Sequence, residues 1–545
     1  MDHDRRTTSR PRDASEARAA PHDPADPPWL ASLSHPAAYP HPVQSIERLE
    51  THLSWVFLTG EWAYKLKKPL RFPFVDFSTL EKRHAACMEE LRLNQRTAPA
   101  IYDRILPLVQ TNVGPRFGAS GPVLEFAVKM RQFTQSDILL NVARTGRLTT
   151  PLMDELGRSI AELHRRADVA PAGSSFGTPA IIRQEIAECF PAMEACSLDE
   201  ESRQQLKDLQ SWTVSEHVRL QSYFVARRHD GFVRECHGDL HMGNIVLLDG
   251  VPRPFDCLEF NAELRFIDVV SDVAFVTMDL QAHDAPKLAM RLLNSWLEQS
   301  GDFGGVCGLH FYQVYRALVR GKVAAIRLSQ ENPDTDEASR TREQLRLYLA
   351  LAHQLSQPTR SALALMHGLS GSGKSVTARR IAEEVGGIVI RSDIERKRLF
   401  GMWPPSANRP PAQDLYSVAA TAKVYDHLLS VTRQLLADGQ VAIVDAAFLE
   451  EPGRRQFQEL ARSLGRPWTI VACEAPRSIL EERVTKRQAE ASDASDATVE
   501  VLKRQETIAS PLTGDERGQT VIWNTDGSAA CTDALAKLQR LIQTR

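Results

Sequence analysis

Ser361-Ala362-Leu363-Ala364-Leu365-Met366-His367 is an apolar run that enters Gly368-Leu369-Ser370-Gly371-Ser372-Gly373-Lys374-Ser375 without a break. The first seven residues read as a buried strand, and the next eight form a complete G-x-x-x-x-G-K-S loop. An amphipathic helix is expected from Ser375. Strand, glycine-rich loop and helix in that order identify a P-loop. Gly368, Gly371 and Gly373 let backbone N–H groups converge on phosphate oxygens with no Cβ in the way. The expected nucleotide-binding set is Gly368, Ser370, Gly371, Ser372, Gly373, Lys374 and Ser375. Lys374 would reach the β/γ-phosphates of ATP, the Ser375 hydroxyl would ligate Mg2+, and the helix N-terminus adds partial positive charge.

Downstream, strands expected at 387–391, 441–444 and 468–473 alternate with helices, the pattern of a parallel α/β domain over 361–545. Asp445, ending the second of these strands, is a candidate metal ligand; the competing reading is a helix cap. Asp393, in Arg391-Ser392-Asp393-Ile394-Glu395-Arg396-Lys397, is a candidate general base, with an N-cap as its structural alternative. Arg396 could bind substrate or phosphate. Arg483 and Arg487 lie one turn apart on a helix expected at 479–490, where they would neutralise a transferring phosphoryl group or form a solvated face.

About 130 residues earlier stands a second signature, His237-Gly238-Asp239-Leu240-His241-Met242-Gly243-Asn244, followed by Asp256 in Pro254-Phe255-Asp256-Cys257. A kinase-type catalytic loop orders His, x, Asp, four residues, Asn. That chemistry needs an Asp to accept a hydroxyl proton, an amide oxygen for magnesium, and a second carboxylate beyond the loop. Asp239, Asn244 and Asp256 fit those roles. A hairpin expected around Asp249-Gly250 separates the last two. Asp268 and Asp272 are expected to anchor the loop by hydrogen bonds and not to bind metal.

Around this signature, two short strands about Thr59-Gly60, a charged helix at 78–97 and strands at 105–108 and 123–130 indicate a small α+β lobe. Helices expected at 152–167, 179–194, 200–228, 268–282, 287–299, 311–329 and 338–355 make the rest mainly helical. The boundaries read from this pattern are a disordered tail at 1–28, a small lobe at 29–135, a helical lobe at 136–335, a linker at 336–360 and the P-loop domain at 361–545.

The 237–256 segment resembles the aminoglycoside phosphotransferase family, whose loop is His-Gly-Asp-x-His-x-x-Asn; the likeness spans about 45–330. It implies a kinase-like bilobal fold with Asp239 as catalytic base, and with Asn244 and Asp256 as metal ligands. Lys65 would be the strand lysine on the α/β-phosphates, paired with a helical carboxylate, Glu90 or its neighbour Glu89. No G-x-G-x-x-G lies upstream of Lys65. Residues 361–545 resemble small P-loop kinases of the gluconate kinase or chloramphenicol phosphotransferase kind. The whole chain resembles bacterial proteins that fuse an aminoglycoside phosphotransferase-like domain to an AAA-type ATP-binding domain. Those likenesses imply ATP and Mg2+ as cofactors and small hydroxylated metabolites as acceptors. The rival reading is a regulatory protein in which one or both nucleotide sites are catalytically silent.

The net charge of −3 over 545 residues offers no electrostatic reason for nucleic acid as a partner. No run of 18 apolar residues exists, so no membrane span is expected. Eight scattered cysteines without a CxxC pair fit a reducing cytoplasm better than a disulfide framework. Glu259 and Glu263 are too few to establish the acidic pocket a polycationic aminoglycoside needs. Oligomeric state is not legible.

Overall fold

The computed structural model describes residues 26–72, 75–403, 415–490, 498–526 and 531–543. Residues 1–25 of the expected tail lie outside the described residues. The chain divides into two compact units, Met1–Phe133 with Leu258–Asn261, and Thr134–Cys257 with Ala262–Arg545.

The first unit is built on a six-stranded antiparallel sheet. Its order is Glu47–Glu50, Ser54–Leu58, Trp62–Lys67, Val123–Arg131, Tyr102–Thr111, Gly114–Phe117. Alternation along Trp62–Lys67 decides what each face does. Tyr64 and Leu66 enter an apolar core with Trp55, Phe57, Leu108 and Phe117, closed by Leu30, Leu33 and Tyr39. Lys65 and Lys67 point to the other face, where helix Leu80–Asn94 presents the buried Glu90. The strands Glu47–Glu50 and Gly114–Phe117 escape the sequence reading: one is nearly all polar, and the other holds Gly and Pro. Both are edge strands, where a strand has little apolar burial to advertise itself.

The second unit carries both signatures. Its helices Thr150–Arg166, Val269–Ala282, Pro286–Ser300, Leu309–Leu328 and Asp336–Leu355 match expected segments within a few residues. Two expected helices are broken. The 179–194 segment divides into Pro179–Ala187 and Phe190–Glu194, because Pro191 fits a first turn but not a helix interior. The 200–228 segment divides at Leu220 into Glu200–Arg219 and Gln221–His229, which buries Leu220 and Phe224 in the core. The expected hairpin pairs Ile245–Leu248 with Val251–Pro254, and positive φ at both Asp249 (51°) and Gly250 (79°) makes the tight turn that suits strand twist.

The C-terminal sheet has five parallel strands. They run Gly387–Arg391, Val441–Asp445, Ala362–His367, Trp468–Glu474, Thr520–Asn524. The last strand is one the sequence reading missed. Layers on both faces bury every residue of Val441–Asp445, which explains its unbroken apolar run. The fold is thus an α+β part built on an antiparallel sheet, followed by helices and an α/β P-loop domain with a parallel sheet. No described helix is long and apolar enough to cross a membrane.

Candidate active sites

Carboxylates beneath the 237–244 loop hold its backbone at both ends. Asp272, fully buried on helix Val269–Ala282, accepts from the backbone N–H of His237 and of Gly238, each at 3.0 Å. His164 Nε2 lies 3.1 Å from the same carboxylate, and Trp296 donates its indole N–H to His164 Nδ1 at 3.1 Å. That second bond leaves the imidazole proton on Nε2, facing Asp272. His164, Cys236 and Asp272 converge closely enough to suggest a metal cluster. Their polar atoms, however, are engaged by Trp296, the Ile267 carbonyl and the loop amides, so the cluster is an anchor. Asp279 accepts from Met242 N at 2.9 Å and from the Tyr348 hydroxyl at 3.1 Å, fixing the far end of the loop.

Asp239 and Asn244 are brought together. The Asn244 amide donates to the Asp239 carbonyl at 3.0 Å and to its Oδ2 at 2.9 Å. Both contacts use Nδ2, so Oδ1 is left as the acceptor end of the amide. Burial pushes the Asp239 carboxyl up, but His241, Arg320 and His237 outweigh it and hold it well below the usual carboxylate range. Gly243 N donates to His241 Nδ1 at 3.0 Å, which places the other ring nitrogen toward Asp239 Oδ2 at 3.4 Å. Asp239 keeps 38% of its side chain exposed, open enough to meet an acceptor.

His237 ties the loop to the hairpin's end. Its Nδ1 accepts from Asp239 N at 3.4 Å, so its Nε2 donates to the Phe255 carbonyl at 2.9 Å. Burial keeps this imidazole's pKa below its ordinary value, despite Asp272 nearby. Asp256 comes next, with φ at +60°, a conformation non-glycine residues rarely take. Arg316 donates to the Gly238 carbonyl at 3.2 Å and braces the loop from helix Leu309–Leu328.

In the first unit, Lys65 Nζ lies 2.9 Å from Glu90 Oε1. Glu89 instead pairs with Arg92 at 2.8 Å, so helix phase settles which carboxylate meets the strand lysine. Lys67 joins the cluster at 2.5 Å from Glu90 Oε2 and also pairs with Glu259. Burial pushes the Glu90 carboxyl up, yet the two ammoniums bring it down to about 2. Glu259 therefore serves as a counter-ion to Lys67.

At the P-loop, Gly368, Gly371 and Gly373 have φ of +140°, +84° and +81°. A Cβ on Gly368 would stand 2.6 Å from the Cys473 carbonyl, and one on Gly371 would stand 2.7 Å from that of Leu480. Ser370 N donates to Gln505 Oε1 at 2.8 Å, and Ser372 Oγ is buried without a partner. Lys374 opens helix Lys374–Val385 together with Ser375, and its Nζ donates to the carbonyls of Gly368 and Leu369 at 2.9 and 2.8 Å. Burial lowers this ammonium's pKa, while Asp445 and Asp393 pull it upward from nearby and Arg487 opposes them.

Asp445 ends its strand with the next helix only at Glu451, so it caps no helix. Asp393 sits inside the first turn of Ser392–Leu399, whose N-cap is Arg391, and so it is not the cap either. Arg396 is engaged within the fold, donating to the Leu415 carbonyl at 2.6 Å beneath the Tyr416 ring. Arg483 donates to the Gly371 carbonyl at 3.3 Å and to Thr525 Oγ1 at 3.0 Å, tying the loop to the residue that follows the strand Thr520–Asn524. Gln505, Thr525, His164, Trp296 and Asp279 escaped the sequence reading. Each lies far along the chain from the loop it supports, and none belongs to a local motif.

Residues 363–512 match the family model described as an AAA domain. The uncharacterized protein Rv2004c of Mycobacterium tuberculosis (strain ATCC 25618 / H37Rv) is 32% identical over 467 residues, covering 85% of this chain and 90% of that protein. The uncharacterized protein Mb2027c of Mycobacterium bovis aligns with the same figures. The chain belongs to the family of these mycobacterial proteins. Among solved structures, a choline/ethanolamine kinase family protein from Mesorhizobium loti covers 59% of this chain and 97% of its own, at 13% identity and TM-score 0.34. A gluconokinase from Sinorhizobium meliloti 1021 covers 34% and 95%, at 23% identity and TM-score 0.25. The AAA-domain match falls in the part of the chain that carries the glycine-rich loop and the parallel sheet.

Proposed function

We propose that the protein is an ATP- and Mg2+-dependent phosphotransferase with two phosphoryl-transfer modules acting on small hydroxylated metabolites in the cytoplasm. The observation that carries this reading is the Asp239–Asn244 contact at 2.9 Å. It puts an ionised carboxylate and an amide oxygen in one braced loop. Asp239 would orient the acceptor hydroxyl and take its proton as the oxygen attacks the γ-phosphorus. Its depressed pKa favours orientation over strong basicity. Asn244 Oδ1 and Asp256 are hard oxygen donors of the kind magnesium takes. Backbone strain at Asp256 supports a functional reading, since positive φ in a non-glycine residue persists where surroundings impose it. Lys65, oriented by Glu90, would hold the α/β-phosphates.

In the second module the backbone of residues 368–373 would cradle phosphate, with Lys374 on the β/γ-phosphates. Ser375 and Asp445 supply hydroxyl and carboxylate oxygens, a donor set suited to magnesium, which when bound would neutralise phosphate charge. Asp393 would face the acceptor, and Arg483 and Arg487 would flank the transferred group.

The test is ATP consumption with a pooled metabolite extract, comparing wild type, Asp239→Ala and Lys374→Ala. Metabolite-dependent turnover lost in one variant assigns a single live site; loss in either supports coupled modules. Nucleotide binding with no turnover from any pool would sink the reading and leave a nucleotide-controlled regulatory protein in its place.

A further inference from the structure

Helix Pro286–Ser300 lies outside the 363–512 segment that matches the AAA domain, yet one face of it is built into that domain. Arg291, Asn294 and Glu298 recur at the spacing of a single helical stripe. Arg291 pairs with Glu383 at 3.0 Å. Asn294 accepts from Val389 N at 2.7 Å and donates to the Gly387 carbonyl at 3.0 Å, satisfying backbone groups on the edge strand Gly387–Arg391. At the helix end, the Glu298 carbonyl accepts from Arg398 at 2.6 Å and from the Trp403 indole at 3.0 Å. Arg398 belongs to Ser392–Leu399, the helix that carries Asp393.

The Glu298 side chain makes the decisive contacts. Its two oxygens lie 3.1 Å from Arg379 and 3.1 Å from Arg391. Arg391 is buried, and its strand neighbour in register is Asp445. The guanidinium stands 3.6 Å from Asp445 Oδ2, a looser approach than the one it makes to Glu298. We propose that Glu298 is a positioning residue of the P-loop site: it holds the Arg391 guanidinium off Asp445, so that this carboxylate remains available to a divalent cation. The inference rests on the reading of Asp445 as the metal-binding carboxylate of the P-loop module.

The physical argument is competition for one buried carboxylate. A guanidinium and a cation both draw on Asp445, and in a poorly hydrated site their claims are not screened away. Removing the charge of Glu298 leaves Asp445 to bear more of the Arg391 charge, and the cation must then displace it. Part of the P-loop site is thus supplied from outside the P-loop domain. The opposite face of the same helix sends Trp296 to His164 and, through Asp272, to the 237–238 amides, so one rigid element supports both signatures.

The test uses the full chain and equilibrium binding of a fluorescent ATP analogue, with the P-loop signal defined as the part lost in Lys374→Ala. Binding is titrated with Mg2+ and repeated in chelator. Glu298→Gln should leave metal-free binding unchanged and raise the half-maximal Mg2+ concentration by about tenfold, in the direction of Asp445→Asn. Arg391→Gln should not raise it, and combined with Glu298→Gln it should bring the requirement back to wild type. Lys287→Ala, which removes an exposed ion pair with Glu384, is expected to titrate like wild type. If Asp445→Asn shifts the titration while Glu298→Gln does no more than Lys287→Ala, this inference fails alone. A silent Asp445→Asn overturns the metal-carboxylate reading, and this inference with it. Should Glu298→Gln not fold, a raised Mg2+ requirement in Arg391→Gln overturns the proposal by itself, because removing a competitor cannot weaken the cation.

Discussion

Lys65 donates to Glu90 Oε1 at 2.9 Å, and the carboxylate is fully buried while the ammonium keeps 12% of its side chain exposed. The pair crosses from the strand face opposite the apolar core to helix Leu80–Asn94, and Lys67 shares the same carboxylate. Glu90→Ala would leave two ammoniums without their common partner. It should destabilise the protein by about 3–5 kcal/mol, as removal of one member of a buried ion pair does. Glu89→Ala breaks a part-exposed pair with Arg92 and should cost less than about 1 kcal/mol. Thermal and denaturant unfolding of the two variants side by side decides this.

Asp272 is the common acceptor of His237 N, Gly238 N and His164. Asp272→Asn turns one acceptor oxygen into a donor facing those N–H groups, a loss of at least about 2 kcal/mol. Turnover that depends on Asp239 should fall by more than about tenfold, with turnover that depends on Lys374 retained. If the two activities fall together, the loop's anchoring is not what the carboxylate provides.

Gly371 and Gly386 both have positive φ, at +84° and +72°, but only Gly371 has a backbone atom where a Cβ would go. Either change to alanine costs about 1–2 kcal/mol of backbone strain. Gly371→Ala must in addition displace the Leu480 carbonyl from 2.7 Å, which distorts the cradle. It should weaken nucleotide binding at the P-loop by more than about tenfold. Gly386→Ala should lower the melting temperature yet leave that binding intact, and fluorescence titration distinguishes them.

Burial pushes the Glu185 carboxyl up to about 7, with Arg316 pulling against it and one oxygen left without a partner. A carboxyl whose pKa is higher folded than unfolded holds more protons in the native state between about 4.3 and 7. Stability should therefore decline as pH rises through that window. Glu185→Gln removes the group, so its stability relative to wild type should rise from pH 4.5 to pH 8. Unfolding midpoints of both proteins across that range give the answer, and parallel curves would refute it.

Helix Lys374–Val385, the hairpin turn at Asp249-Gly250 and the Asp239–Asn244 spacing were legible because each is fixed by contacts within a few residues. Edge strands, the break at Leu220 and the strand Thr520–Asn524 were not, since their formation depends on what packs against them. The sequence offers both Glu90 and Glu89 as partners of Lys65, and only the phase of Leu80–Asn94 against the sheet separates the two. Asp445 and Asp393 each had a capping alternative that helix boundaries remove.

The sequence by itself determined the glycine-rich loop after its strand, the spacing of Asp239 and Asn244, and the presence of both an α+β part and a parallel α/β sheet. Glycine conformations, hydrogen bonds inside a loop and hydrophobic periodicity are local, and local order is written in consecutive residues. Only the tertiary structure decided which distant side chains brace those loops: Trp296 on His164, Gln505 on Ser370, Glu298 on Arg391. Those pairs lie about a hundred residues apart. Their meeting depends on how whole helices pack, and packing responds to shape and burial over the entire chain, which no short stretch of it encodes.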